Sequence, residues 1–170
     1  GEHINDIPVE LRSIGLLCDH AAQGAWAAEN FARELYALTQ ARENSRKVRG
    51  FYQIWPQPLI TISDRHFIAE AMRYCGIENI AGKSSSLTPT WSIEAVLRAR
   101  PELIMTSPPA RDFERWTRWP ELPAVKNNAL IVLPPDVLQR PAPRVLEGIR
   151  ALCAAADRVR AIPTASTVSP

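Results

Sequence analysis

Phe51-Tyr52-Gln53-Ile54-Trp55-Pro56-Gln57-Pro58-Leu59-Ile60 decides how this chain is read. It opens as a strand, an apolar and aromatic run that follows the basic Arg46-Lys47-Val48-Arg49-Gly50. Pro56 and Pro58 cannot donate to a sheet ladder, so the strand is expected to stop there. Trp55 then stands at a strand end, on a loop stiffened by two prolines. Open α/β sheets build ligand clefts at strand ends, and large flat side chains suit them. An indole in this place can equally cap a core, and pattern alone leaves both readings open.

Outward from that stretch, the chain alternates. Residues 8–17 read as a short helix capped by Asp6, and Asp19 offers a cap for a second helix over 21–43. In the second helix Ala28, Phe31, Leu35 and Leu38 form one apolar stripe, with Glu29–Arg33 as a surface pair. A helix of this length spans about 33 Å, enough to run along a whole domain or to bridge two. After the strand at 48–55, Ser63 or Asp64 is expected to cap a helix over 65–75, with Gly76 at its C-cap. A minimal strand at 78–80 and a Ser-rich loop over 82–89 follow. Thr90 or Ser92 caps a helix to residue 99, and Pro101 ends it. Strands are expected at 102–106 and 130–133, and helices at 110–116 and 143–160. Residues 161–170 are small, polar and Pro-containing, and read as a mobile tail. Short buried strands alternating with helices argue for a parallel sheet covered on both faces.

Composition excludes several functions. At 170 residues the chain makes one domain with, at most, an appended element. With 20 basic against 18 acidic residues and no basic stripe carrying aromatics, nucleic acid is not expected as a partner. Only 7 glycines occur, and neither G-x-G-x-x-G nor a Walker sequence is present, so no phosphate-cradling loop is read. No apolar run approaches the ~20 residues that span a bilayer. Cys18 lies two residues from His20 without a second ligand pair, so no metal site is expected. Cys75 and Cys153 each sit on or beside a helical stripe. They can meet as a disulfide or stay two buried thiols, and spacing alone leans to thiols. Asp136 and Arg140, in the proline-bounded loop after the 130–133 strand, can line a cleft or pair with each other at the surface.

Several motifs in order carry a resemblance. They are Phe51-Tyr52-Gln53-Ile54-Trp55 with Pro58-Leu59, Cys75-Gly76, Thr88-Pro89-Thr90 with Ser92-Ile93-Glu94-Ala95-Val96-Leu97, Trp119-Pro120 with Leu122-Pro123-Ala124-Val125, and Arg140-Pro141-Ala142-Pro143-Arg144-Val145-Leu146-Glu147-Gly148. Together, over about residues 7–153, they resemble the vitamin B12 (cobalamin)-binding proteins of ABC importers. Siderophore and haem binders share that architecture.

The resemblance implies two Rossmann-like α/β lobes joined by one long helix, with ligand held between them. Residues 1–20 would be a remnant of the inter-lobe segment, 21–45 the connecting helix, 46–160 the C-terminal lobe and 161–170 the tail, with the N-terminal lobe missing. It implies that Trp55, Pro58 and Ile60 line the cleft, that Thr88 to Trp91 form another wall, and that Asp136 and Arg140 are polar cleft residues. A cobalamin-binding tryptophan of a relative falls on Thr88, and whether Trp91 replaces it is left open. It implies a Cys75–Cys153 disulfide, hence an oxidising compartment such as the periplasm. It implies that Glu94 docks onto the membrane permease, although an acid in a first helical turn is also favoured by the helix dipole alone. Cys18 acquires no role.

The function expected is therefore that of a binding lobe, with cobalamin or a related corrinoid as transported ligand and no covalent cofactor. A ferric siderophore or haem is the alternative ligand, and the cleft stretches offer Tyr52 but no histidine for iron. An enzyme would need a nucleophile with its base or a cofactor loop, and none is read here. A lobe that only binds partners is the remaining alternative. The apolar face left by an absent lobe is expected to favour homodimers.

Overall fold

The computed structural model describes residues 3–138 and 142–163. After a 3-10 turn (Ile4–Asp6) come α1 (Ile7–Leu17) and α2 (Ala21–Gln40). Then follow β1 (Val48–Gln53), β2 (Trp55–Pro56), β3 (Leu59–Ile60), α3 (Phe67–Tyr74), β4 (Ile77–Asn79), α4 (Ile93–Ala99) and β5 (Leu103–Thr106). A second 3-10 segment (Phe113–Arg118), α5 (Pro123–Lys126), β6 (Leu130–Val132) and α6 (Val145–Arg160) complete the order.

Four strands form a parallel sheet in the order β4-β1-β5-β6. Side chains alternate between two cores, as a strand period of two requires. Tyr52, Leu103 and Met105 enter one core with Met72 of α3, Phe31 and Leu35 of α2, and Ile149 and Leu152 of α6. Phe51 and Ile104 enter the other with Val96 of α4, Phe113 and Trp116. Both faces are covered, so β5 is buried at every position, which the run Leu-Ile-Met-Thr reflects.

The topology fixes where a ligand can sit. β1 leads through α3 to β4 on one side, whereas its neighbour β5 leads through the second 3-10 segment and α5 to β6 on the other. Adjacent strands whose onward connections diverge leave a crevice at their carboxyl ends. Residues 54, 55 and 66–68 and residues 107–109 border that crevice.

Helix α2 lies against α6. Its buried stripe Ala28, Phe31 and Leu35 faces the core, as the spacing predicts. Arg42, just beyond α2, donates to Asp157 of α6 at 2.6 Å, and Asp157 also receives Arg160 at 2.7 Å. Arg150 and Glu34 form a second link between the helices. α1 folds back onto α2 where Gly15 meets Gly24. A Cβ on Gly15 would stand 2.7 Å from the Gly24 Cα, so only glycine permits this approach. Cys75, at the end of α3, is bonded to Cys153 of α6, with Cα atoms 4.6 Å apart. Gly76 follows with φ +66°, the left-handed conformation that a helix C-terminus favours in glycine.

Several local expectations are corrected. The long helix ends at Gln40, earlier than residue 43. Arg33 donates to Asn30 Oδ1 at 2.7 Å rather than pairing with Glu29. Asp6 takes the amide of His3 at 3.2 Å and makes no side-chain cap on α1, and the N-cap position of α2 is His20 rather than Asp19. The cap of α3 is His66, not Ser63 or Asp64. The expected helix over 110–116 is the 3-10 segment Phe113–Arg118 instead. Ser92 does cap α4, its hydroxyl taking the Ala95 amide at 3.1 Å. Among the described residues no helix is long and apolar enough to cross a membrane.

Candidate functional site

The crevice is built from the end of β1 outward. β1 leaves the central sheet at Gln53, and the chain then forms the β2–β3 hairpin, pairing Trp55 with Ile60 and Pro56 with Leu59. Pro56 thus lies in a two-stranded edge, where a missing donor is tolerated. Pro58, preceded by a cis peptide bond, sits exposed in the hairpin turn. Ile60 bridges onward to Thr90. Polar contacts hold this strand end: Thr61 Oγ1 donates to the Tyr52 carbonyl at 2.7 Å, and Thr106 Oγ1 to that of Gln53 at 2.9 Å. The Gln53 side chain accepts the indole N–H of buried Trp116 at 2.9 Å.

A concavity of about 270 Å³ opens at the carboxyl ends of β1 and β5. Trp55, Ile54, Pro108 and Pro109 contribute apolar surface to it, and Tyr52, Ser107 and His66 contribute polar groups. Trp55 is 39% exposed, its indole N–H bonded to the Gln57 carbonyl at 3.1 Å and Arg111 lying 5.5 Å from its ring centroid. The Tyr52 and Ser107 hydroxyls are 2.7 Å apart. Burial pushes the Tyr52 phenol up, against a lesser lowering by Ser107, so it stays a neutral hydroxyl. Leu138 also borders the concavity, settled against Gly148 of α6, where a Cβ would come within 2.7 Å of it.

The residues singled out in the sequence do not all meet in one hollow. Trp55 borders the β1–β5 concavity. Thr88 is exposed on the strip that runs beside β3. Trp91 turns toward the core instead, 6.0 Å from the Phe51 ring. It borders a second hollow of about 440 Å³ with Pro56, Leu59, Trp119, Arg115 and Arg118. Arg115 reaches across to the Pro56 carbonyl at 2.9 Å and fastens the hairpin from that side. Asp136 is exposed, with φ +63°, while the next two residues, Val137 and Leu138, plunge into the core. Arg140 lies outside the described residues, as does the tail beyond residue 163.

Glu94 is exposed in the first turn of α4. A hydrogen bond from its own backbone amide, and a second from the Ser92 hydroxyl, hold its carboxyl below the usual range, so it carries full charge at neutral pH.

The cleft stretches of the sequence contain no histidine, yet His66 borders the concavity. Its ring Nδ1 accepts the Ile68 amide at 3.2 Å, and burial lowers its pKa. The signal that would have found it is topological. A helix that follows a strand in a parallel sheet begins at the crevice, so its cap residue belongs to the crevice wall. Pro108, Pro109 and Arg111 could have been found in the same way, because they follow β5 as Trp55 follows β1. Among the described residues no group of three His, Cys, Asp or Glu side chains is arranged to hold a metal ion.

Residues 5–137 match the family model for periplasmic binding protein. The vitamin B12-binding protein of Vibrio parahaemolyticus serotype O3:K6 is 35% identical over 152 residues, covering 88% of this chain and 55% of its own length. The crystal structure of the periplasmic vitamin B12 binding protein of Vibrio cholerae superposes with a TM-score of 0.83 at 29% identity, covering 94% of this chain and 64% of that one. A periplasmic heme-binding protein in complex with two hemes superposes with a TM-score of 0.78 at 15% identity, a likeness of fold alone, over 93% of this chain and 64% of that one. The chain spans about half the length of the vitamin B12-binding relatives it matches.

Proposed function

The chain belongs to the periplasmic binding protein family, and we propose that it supplies one wall of a two-walled cleft that carries cobalamin or a related corrinoid to an ABC importer. The observation that carries this reading is the indole and proline rim, Trp55 with Pro108 and Pro109, around a concavity at the β1–β5 switch point. A corrin presents broad apolar faces, which flat rigid side chains suit, and peripheral amides, which a few fixed polar groups suit. The identity to vitamin B12-binding relatives supports that choice of ligand.

In this reading Trp55, Pro58 and Ile60 form the rim, and Thr88 extends it along the strip beside β3, whereas Trp91 backs the hairpin from the second hollow. Asp136 and Arg140 contribute charge to the cleft. Residues 1–20 belong to the inter-lobe segment, 21–45 to the connecting rod and 46–160 to the C-terminal lobe. A preceding lobe provides the other wall. The exposed apolar side chains of α1 and α2, with Leu17 at 85% and Trp26 at 66% exposure, are the surface that such a lobe or a second copy covers. Glu94 docks onto the permease, which opens the cleft. The chain is a carrier rather than an enzyme. The Cys75–Cys153 bridge supports an exported, periplasmic location.

Isothermal titration with cyanocobalamin, haemin and a ferric hydroxamate tests the ligand class. Saturable heat with cyanocobalamin alone is expected. Heat with an iron chelate and none with cyanocobalamin would replace the ligand while keeping the family. No heat with any of the three would leave a lobe that binds only partners.

A further inference from the structure

Among the described residues His66 is the one imidazole that borders the concavity, and two contacts fix its ring. It caps α3 by taking the Ile68 amide on Nδ1 at 3.2 Å. Its ring stacks on Phe67, with centroids 5.0 Å apart and planes 27° from parallel. Its backbone carbonyl accepts the Ala69 amide at 2.9 Å. With Nδ1 used as an acceptor, the ring proton must reside on Nε2. Moving it to Nδ1 would set two N–H groups against each other at capping distance. Nε2 makes no hydrogen bond among the described residues.

This tautomer decides what the ring can do. A metal-ligating histidine offers one bare nitrogen to the ion and donates its other N–H to an oxygen. Here the second nitrogen accepts, so Nε2 keeps its hydrogen and is a donor rather than a ligand. A carboxylate partner would favour imidazolium, which again puts a hydrogen on Nδ1 against the Ile68 amide. A neutral oxygen acceptor avoids both conflicts. The surroundings fit such a group: the Tyr52–Ser107 hydroxyl pair, two prolines and Leu138 carry no charge. The concavity, about 270 Å³, admits a substituent rather than a macrocycle.

We propose that His66 is a specificity residue, donating from Nε2 to a neutral carbonyl oxygen of the amide class on a substituent of the ligand that enters the β1–β5 concavity. This rests on the cleft reading given above. It separates a ligand fringed with amides from one fringed with carboxylates or one that needs an axial imidazole.

The test uses the 170-residue chain. A long-range proton–nitrogen spectrum of the ligand-free protein at neutral pH is expected to show His66 protonated on Nε2 and bare on Nδ1. The opposite tautomer overturns the proposal whatever the ligand is. Cyanocobalamin is then titrated into wild type, His66→Asn and His66→Gln. Asparagine keeps the helix cap but does not reach the Nε2 position, whereas the glutamine amide does. Binding is expected to weaken about three- to tenfold in His66→Asn and to stay within about twofold in His66→Gln. Equal binding by wild type and His66→Asn overturns the proposal while the cobalamin reading stands. Should wild type not bind cyanocobalamin, one wall alone does not hold the ligand, and N-methylacetamide becomes the probe. A shift of the His66 Nε2–H resonance not shared by His3 and His20 then supports the donor role, and its absence overturns it.

Discussion

Cys75 and Cys153 are bonded across the α3–α6 contact, closing a loop of 78 residues that contains β4, β5 and β6, while β1 and the β2–β3 hairpin precede it. The bridge pins the last turn of the helix that His66 starts to the middle of α6, which carries the Gly148 seat of Leu138. It therefore braces two borders of the concavity from behind. In the chain-entropy model a loop of this length stabilises the fold by about 4–5 kcal/mol, and removal of native disulfides costs about 2–5 kcal/mol. The double variant Cys75→Ala/Cys153→Ala is expected to lose about that much in urea denaturation. Reductant should lower the Tm of wild type and leave the variant's unchanged. A wild-type Tm indifferent to reductant would show that the bridge is not formed.

The link between α2 and α6 is expected to weaken in acid. Burial tends to raise the Asp157 pKa, but the hydrogen bonds and charges of Arg42, then Arg160, outweigh it and hold the carboxyl below its ordinary value. A depressed folded-state pKa contributes stability above the unfolded carboxylate pKa, and that contribution is lost as pH falls through the folded-state value. Asp157 is 44% exposed, so solvent screens the pair and the effect is modest. Asp157→Asn is expected to lower the Tm at neutral pH and to converge with wild type in acid. Parallel curves at every pH would assign the loss to packing.

Glu94 stands exposed at the start of α4 and borders neither hollow. Glu94→Lys is expected to leave cobalamin affinity unchanged and to slow association with the cobalamin permease, by about tenfold at low salt. Surface-binding kinetics across a salt series check this, because the difference should shrink as salt rises. An unchanged on-rate at low salt would return Glu94 to a helix-dipole role.

Much of the fold is legible in the sequence because burial imposes periodicity. Leu103, Ile104 and Met105 read as a doubly covered strand, and Ala28, Phe31 and Leu35 as a helix stripe, because each pattern has one geometric solution. Gly76 and Ser92 were legible for similar reasons, since their local chemistry admits few alternatives. Caps competed less clearly. Ser63 and Asp64 are favoured cap residues, but the Ser63 hydroxyl is directed at the Leu87 carbonyl at 3.4 Å, and the Asp64 amide pairs with the Gly82 carbonyl at 3.0 Å, which leaves His66 to cap α3. The hairpin was hidden by Pro56 and Pro58, which read as a plain loop because they cannot donate, although an edge needs few donors. The division of the indoles was hidden too. Trp55 and Trp91 are alike in sequence, and only the third dimension puts one beside the switch-point crevice and the other behind the hairpin.

A fluorescence titration of this chain with cyanocobalamin, wild type beside Trp55→Ala, tests whether the indole rim holds a corrinoid. Saturable quenching is expected in wild type. At least about tenfold weaker binding is expected in the variant, because Trp55 would lose its contact with the corrin face. Saturation at the same concentration in both proteins, or quenching that never saturates in wild type, would contradict the claim that this lobe holds a corrinoid against its indole rim.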